Sequence, residues 1–141
     1  MGDKVEYIAE AVHQKGLEFV VATGGHTLTT DYPLAADADG TGPRPLEMLL
    51  ASLASCAGGA LMVLLRRGGQ EVQGLRVSAR GRRRTEHPTV FTEIALDFVV
   101  SGPVDPAAVA RALAESEGRI CPVWAMLRPS TPIHSSFRVE P

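Results

Sequence analysis

The sequence predicts an α+β domain spanning residues 1–141. Three observations carry this: short alternating apolar–polar runs in the first third, one long helical segment that is apolar on nearly every side, and further alternating runs beyond it. A chain of 141 residues is long enough to bury a sizeable single core. Its 45% hydrophobic and 21% charged content is that of a folded globular protein. A net charge of −2 gives no general attraction to nucleic acid or to a membrane surface, so neither is expected as a partner.

Val5, Tyr7, Ala9 and Ala11 alternate with Glu6 and Glu10, which predicts a first strand with one wet face. Lys15-Gly16 punctuates, and Leu17, Phe19 and Val21 resume the alternation. Thr23-Gly24-Gly25 then turns the chain into the β-branched run His26–Thr30. Three strands joined by short glycine turns predict an antiparallel meander. Pro33 to Arg44, with Asp37, Asp39, Gly40 and Gly42, is too polar for a core and reads as a loop. The long helix is predicted from Pro45 to Arg66-Arg67-Gly68-Gly69, where cations complement the dipole and glycine terminates.

That helix is apolar nearly all round, which predicts burial on most sides, and Ala57-Gly58-Gly59-Ala60 admits a second backbone closely. Leu46 to Leu65 has the length of a membrane span, but Glu47, Ser52, Ser55 and the glycine pair fit a buried central helix better. Leu75–Arg80 and Ile94–Val100 alternate on either side of Glu86-His87-Pro88 and predict a hairpin. Asp105-Pro106 supplies a cap and a first-turn proline to a helix over Ala107–Glu117, closed by Gly118. A short helix starts at Cys121 and stops before Pro129, and Ile133, Ser135, Phe137 and Val139 predict the last strand.

The chain has two cysteines, and each invites thiol chemistry. Cys56 lies within the apolar helix. Cys121 precedes Pro122, so cysteine takes the cap and proline the first helical position; there the dipole and free N–H groups favour the thiolate. Two inert core thiols are the competing reading. The N-terminus lacks the apolar core of a signal peptide, so the expectation is a cytoplasmic protein, in which a transient or catalytic disulfide is a better guess than a structural one. The run Arg80-Gly81-Arg82-Arg83-Arg84 is expected to be a solvated strand end. The four histidines and two cysteines show no metal-ligand spacing, and no phosphate loop or nucleophile elbow is visible, so no metal or resident cofactor is expected. Trp124 and Met126 are candidates to line an apolar pocket near Cys121.

The segments Gly42–Cys56, Glu86–Thr92, Val99–Gly102 and Cys121-Pro122-Val123 resemble, in the same order, the OsmC/Ohr family of small thiol peroxidases. The Gly-Pro-x-Pro-x-Glu stretch before the helix is similar to the family's OsmC-like branch. The resemblance implies an OsmC-like fold, with antiparallel sheets packed around a long central cysteine-bearing helix in an intertwined homodimer. It also implies that Cys56 attacks an organic hydroperoxide and becomes a sulfenic acid, that Cys121 condenses with it, and that an external dithiol of lipoyl type reduces the disulfide. In the family's hydroperoxide reductases, an arginine from the N-terminal strands and a glutamate ten residues before the first cysteine activate it. Here that glutamate position holds Leu46, Glu47 lies nine residues before Cys56, and residues 1–43 contain no arginine. Nine residues turn a helix through about 180°, which sets Glu47 opposite Cys56. Arg44 is therefore the candidate activating cation, with a solvated loop arginine as the other reading of it, and Glu47 is the weaker candidate. A non-catalytic protein that holds a small apolar or thiol-reactive ligand in a dimer groove is the alternative function.

Overall fold

The computed structural model describes residues 2–34 and 39–141. The part of the expected loop at 35–38, Asp37 included, lies outside the described residues. The chain forms two compact units, Met1–Leu49 and Leu50–Pro141.

The N-terminal unit is the expected meander: β1 (Ala9–His13), β2 (Phe19–Thr23) and β3 (His26–Thr30), in that order and antiparallel. Gly24 and Gly25 join β2 to β3 with φ of 59° and 79°, the left-handed pair that matches a two-residue turn to strand twist. β1 starts at Ala9 rather than Val5, because Ala9 pairs with Thr23 and the β2 chain turns away after it. Val5 and Tyr7 have no strand to join within the sheet and are 81% and 93% exposed. The unit ends in the first turn of α1 (Pro45–Arg67).

The C-terminal unit carries the rest of α1, then β4 (Gly74–Arg83), β5 (Phe91–Ser101), α2 (Pro106–Glu115), α3 (Pro122–Leu127) and β6 (Ile133–Glu140). β4 and β5 form the expected antiparallel hairpin. The β5–β6 pair is parallel, Ile94 opposite Ile133, so this sheet is mixed where antiparallel pairing was expected. The cause is the connection: α2 and α3 carry the chain from the end of β5 back to its beginning, and a strand that returns by such a crossover runs parallel. Asp105 caps α2 as predicted, its Oδ1 accepting from the Ala107 N–H at 3.0 Å. Gly118 does not close that helix. It lies inside a π turn, Ser116–Ile120, that continues α2 up to Cys121.

The core joins Leu53, Ala57, Leu61 and Leu65 of α1 with Ile94, Leu96, Phe98 and Val100 of β5, Val109 and Leu113 of α2, and Trp124 of α3. α1 is long and apolar enough to cross a membrane, yet only 28% of its most apolar stretch is buried in the chain. Burial on most sides is therefore not reached within one copy: Ala51, Ser52, Ser55, Gly59 and Val63 remain exposed. The basic run is a solvated strand end, as read from the sequence, with Arg80 paired to Asp97 at 3.1 Å, Arg82 to Glu93 at 3.6 Å and Arg84 to Glu86 at 3.9 Å.

Candidate functional site

The fold brings the two cysteines together. Cys56 is partly exposed midway along α1, Cys121 is 1% exposed where the π turn gives way to α3, and both are free thiols. They lie within hydrogen-bonding reach of each other, although 65 positions separate them in sequence. Two packing features bring α1 and the sheet together around Cys56. A Cβ at Gly58 would stand 3.0 Å from Val77 Cγ2, so glycine there lets β4 close against the helix. Cys56 itself packs on the buried cluster that contains Cys121 and Trp124.

The Cys121 sulfur is not the readily ionised group its helix-cap position predicts. Burial pushes its pKa up to about 11. The Trp124 backbone N–H pulls the other way, the neighbouring Cys56 thiol adds to the rise, and the Val123 backbone N–H again favours the thiolate. Those N–H groups do not close a well-formed cap hydrogen bond to the sulfur, and α3 is only six residues long, so desolvation wins. At neutral pH Cys121 is a protonated thiol.

Arg44 and Glu47 meet each other at the start of α1. The Glu47 carboxylate accepts the Arg44 backbone N–H at 2.8 Å and lies 3.6 Å from its guanidinium, while the guanidinium stacks 5.5 Å from the centre of the Tyr32 ring. This is a capping box, in which the acid three residues into a helix satisfies the cap's own N–H. Trp124 and Met126 do not share a pocket: Trp124 is buried, whereas Met126 is 70% exposed, as two-residue spacing on a helix dictates. A shallow apolar groove of about 600 Å³ runs along the open side of α1, lined by Ala51, Ala54, Ser55, Gly58, Gly59, Met62, Leu75 and Val77. Among the described residues, no three His, Cys, Asp or Glu side chains gather where a metal ion would sit.

Two residues with buried polar groups lie on either side of Cys121 in the sequence: Ser116, which the sequence reading passed over, and Trp124, which it read only as a pocket wall. Ser116 Oγ and Trp124 Nε1 are both buried and have no hydrogen-bond partner. Leaving such a group unpaired costs about 1–3 kcal/mol. Ser116 gave no signal in the sequence, because nothing in the helical periodicity of α2 announces a π turn.

Comparison with known proteins places the geometry in a family. The model of the family described as OsmC-like protein matches residues 38–136. Protein YhfA of Escherichia coli strain K12 is 33% identical over 127 residues, which cover 89% of this chain and 92% of that protein. A hypothetical protein from Aquifex aeolicus VF5 has a similar structure, with a TM-score of 0.88, 28% identity and coverage of 97% of this chain and 98% of that one. An organic hydroperoxide resistance protein from Elizabethkingia anophelis shares the fold, with a TM-score of 0.78 at 16% identity, covering 99% of this chain and all of that one.

Proposed function

The chain belongs to the OsmC-like protein family, and on that premise we propose that it is a cytoplasmic thiol peroxidase that reduces organic hydroperoxides. The observation that carries the reading is the unequal thiol pair, Cys56 partly open and Cys121 buried beside it. An entering hydroperoxide meets Cys56 first. The Cys56 thiolate attacks the terminal peroxide oxygen; an S–O bond forms, the O–O bond breaks, and the alkoxide leaves as the alcohol after taking a proton. Cys56 is then a sulfenic acid, and Cys121 displaces its hydroxyl as water to give the Cys56–Cys121 disulfide. An external dithiol, of lipoyl type by family resemblance, returns both thiols.

Arg44 is the proposed activating cation, from its own or a second subunit, and Glu47 holds its guanidinium in place through the ion pair at the helix start. The open apolar side of α1 supports a homodimer in which a second copy of α1 covers that side. The same groove favours a second reading, a non-catalytic protein that binds a small apolar or thiol-reactive ligand there.

Kinetics of thiol loss with tert-butyl or cumene hydroperoxide decide between them. Wild type is expected to react much faster than free cysteine, Cys56→Ser not at all, and Cys121→Ser through a sulfenic acid that over-oxidises as peroxide rises. Equal slow rates for wild type and Cys56→Ser would make the protein a binder.

A further inference from the structure

The outer face of the β4–β5–β6 sheet matches its charges row by row, with one exception. Alternation along β5 turns Leu96, Phe98 and Val100 into the core and Asp97 and Val99 away from it. Val99 stands between Arg76 of β4 and Arg138 of β6, and Asp97 stands between Ser78 and Ser136. Two other outward arginines of β4 each have an acid: Arg80 meets Asp97 at 3.1 Å and Arg82 meets Glu93 at 3.6 Å. Arg76 faces a valine and has no ion pair among the described residues. Neighbouring strands lie about 4.8 Å apart, so the Cα atoms of Arg76 and Arg138 flank Val99 at a separation of about 10 Å. Val99 is only 9% exposed although it faces outward, as expected beneath two flanking arginine stems. A cavity of about 370 Å³ opens over this row and the next, with Arg76, Ser78, Asp97, Val99, Ser136 and Arg138 in its lining.

We propose that this cavity binds the phosphate monoester of a small hydroxylated molecule, Arg76 and Arg138 holding the phosphate and the row of Ser78, Asp97 and Ser136 holding the hydroxyl groups. Two cations that share one acid, Glu140, leave positive charge in excess at a concave surface, and that attracts an anion. Guanidinium forks match phosphate oxygens, and one fork on each side of Val99 suits a dianion better than a monocarboxylate, which a single fork satisfies. Arg138 lies 3.1 Å from Glu140 with both side chains exposed. Such a pair contributes at most about 1 kcal/mol, so an incoming phosphate can displace Glu140. In the next row Asp97 accepts the Ser136 hydroxyl at 2.6 Å and the Arg80 guanidinium at 3.1 Å, contacts that hold its pKa below the usual carboxylate value. Each of its oxygens keeps a lone pair for a further donor. A charged carboxylate there accepts a hydroxyl and repels a second anion, which selects an ester with a polyol part. The site is on the face turned away from the core against which Cys56 and Cys121 pack, and it stands independently of the peroxidase reading.

Isothermal titration calorimetry of the full chain with ribose 5-phosphate, AMP, inorganic phosphate and ribose tests this. The two esters are expected to bind, inorganic phosphate more weakly, and ribose not at all, with affinity falling as salt rises. Binding of ribose 5-phosphate alone assigns a free sugar phosphate, and binding of AMP alone a nucleotide; either supports the site. Arg76→Gln and Arg138→Gln are each expected to weaken ester binding at least about tenfold, the effect of losing one charged hydrogen-bonding group. Both side chains are exposed, so these variants should melt as wild type does. Arg82→Gln removes a cation whose ion pair with Glu93 lies outside the cavity, and should leave ester affinity unchanged. No heat with either ester, or wild-type affinity in both Arg76→Gln and Arg138→Gln, overturns the proposal. Equal weakening by Arg82→Gln also overturns it, since diffuse charge then accounts for the binding. Inorganic phosphate bound as tightly as the esters means an adventitious ion only, and overturns it as well.

Discussion

A cysteine at a helix cap, followed by proline, is the setting in which a thiol is expected to ionise easily, yet at Cys121 burial outweighs the cap. The consequence is a stability that depends on pH. The folded protein holds the Cys121 proton up to about pH 11, whereas an unfolded chain releases it near pH 8.5. Between these values the native state carries more protons than the unfolded one, so stability is fully present below the lower value and falls as pH rises through the upper one, by up to about 3 kcal/mol. Thermal melts of wild type and Cys121→Ala from pH 8 to 11 should show the steeper decline in wild type; parallel curves would mean that the thiol ionises freely in the fold. Both cysteines were legible as candidates from the sequence, since proline after Cys121 and an apolar helix around Cys56 are local signals. Their proximity was expected from the family resemblance alone, because no local signal carries it: it depends on a crossover from β5 through two helices. The orphan hydroxyl of Ser116 was invisible, because a π turn changes which residues align without changing which residues are apolar.

Elements whose ends are set by neighbours in sequence were read well: Pro45, Arg66-Arg67 and Gly68 bound α1, and Asp105-Pro106 starts α2. Elements bounded by a distant partner were not. β1 loses its first residues because β2 ends opposite Ala9, and β6 runs parallel because of how the chain returns. The start of α1 makes a testable distinction for Glu47. As a capping-box acid it should contribute about 0.5–2 kcal/mol of stability, so Glu47→Ala is expected to lower the denaturation midpoint by that much. Glu47→Gln, which can still accept the Arg44 N–H, should recover most of the loss while leaving Arg44 without its ion-pair partner. If Arg44 activates Cys56, Glu47→Gln also alters the rate of Cys56 oxidation, and Arg44→Ala slows it further; unchanged rates in both would leave these two residues a cap and nothing more. The neighbouring glycines separate in the same way. Gly58→Ala drives a methyl to within 3.0 Å of Val77, whereas a Cβ on Gly59 meets nothing within 4 Å in the chain. Alanine adds about 1 kcal/mol of helix propensity at either site, and at Gly58 overpacking of about 1–3 kcal/mol opposes it. Urea titration should therefore place Gly58→Ala below Gly59→Ala in stability; the reverse order would mean that β4 does not press on α1.

At the scale of the whole molecule, apolar surface is left over in both units. In the N-terminal unit every residue of β1 is exposed, and so are Val5, Tyr7 and Ile8 before it. An edge strand preceded by apolar residues without cover is an invitation to pair with another chain. In the C-terminal unit α1 keeps a groove of about 600 Å³ with small residues along its floor. Small residues let two helices approach closely, and water is a poor neighbour for a helix whose mean hydropathy reaches 2.1. The proposed homodimer would offer cover for either surplus, and the interface expected of it is well above the roughly 1,600 Å² of a standard complex. Sedimentation equilibrium at micromolar concentration should therefore return twice the 15.0 kDa mass of the chain. Val63 offers the discriminating substitution: it is 45% exposed within one copy, so Val63→Glu costs a single chain little. In a helix-to-helix interface the same change buries a carboxylate without a partner and should shift the equilibrium toward monomer by several kcal/mol. A Val63→Glu protein that sediments as wild type, with the wild-type melting temperature at every concentration, would place the covering surface elsewhere. A wild type that is monomeric at micromolar concentration would remove the dimer altogether.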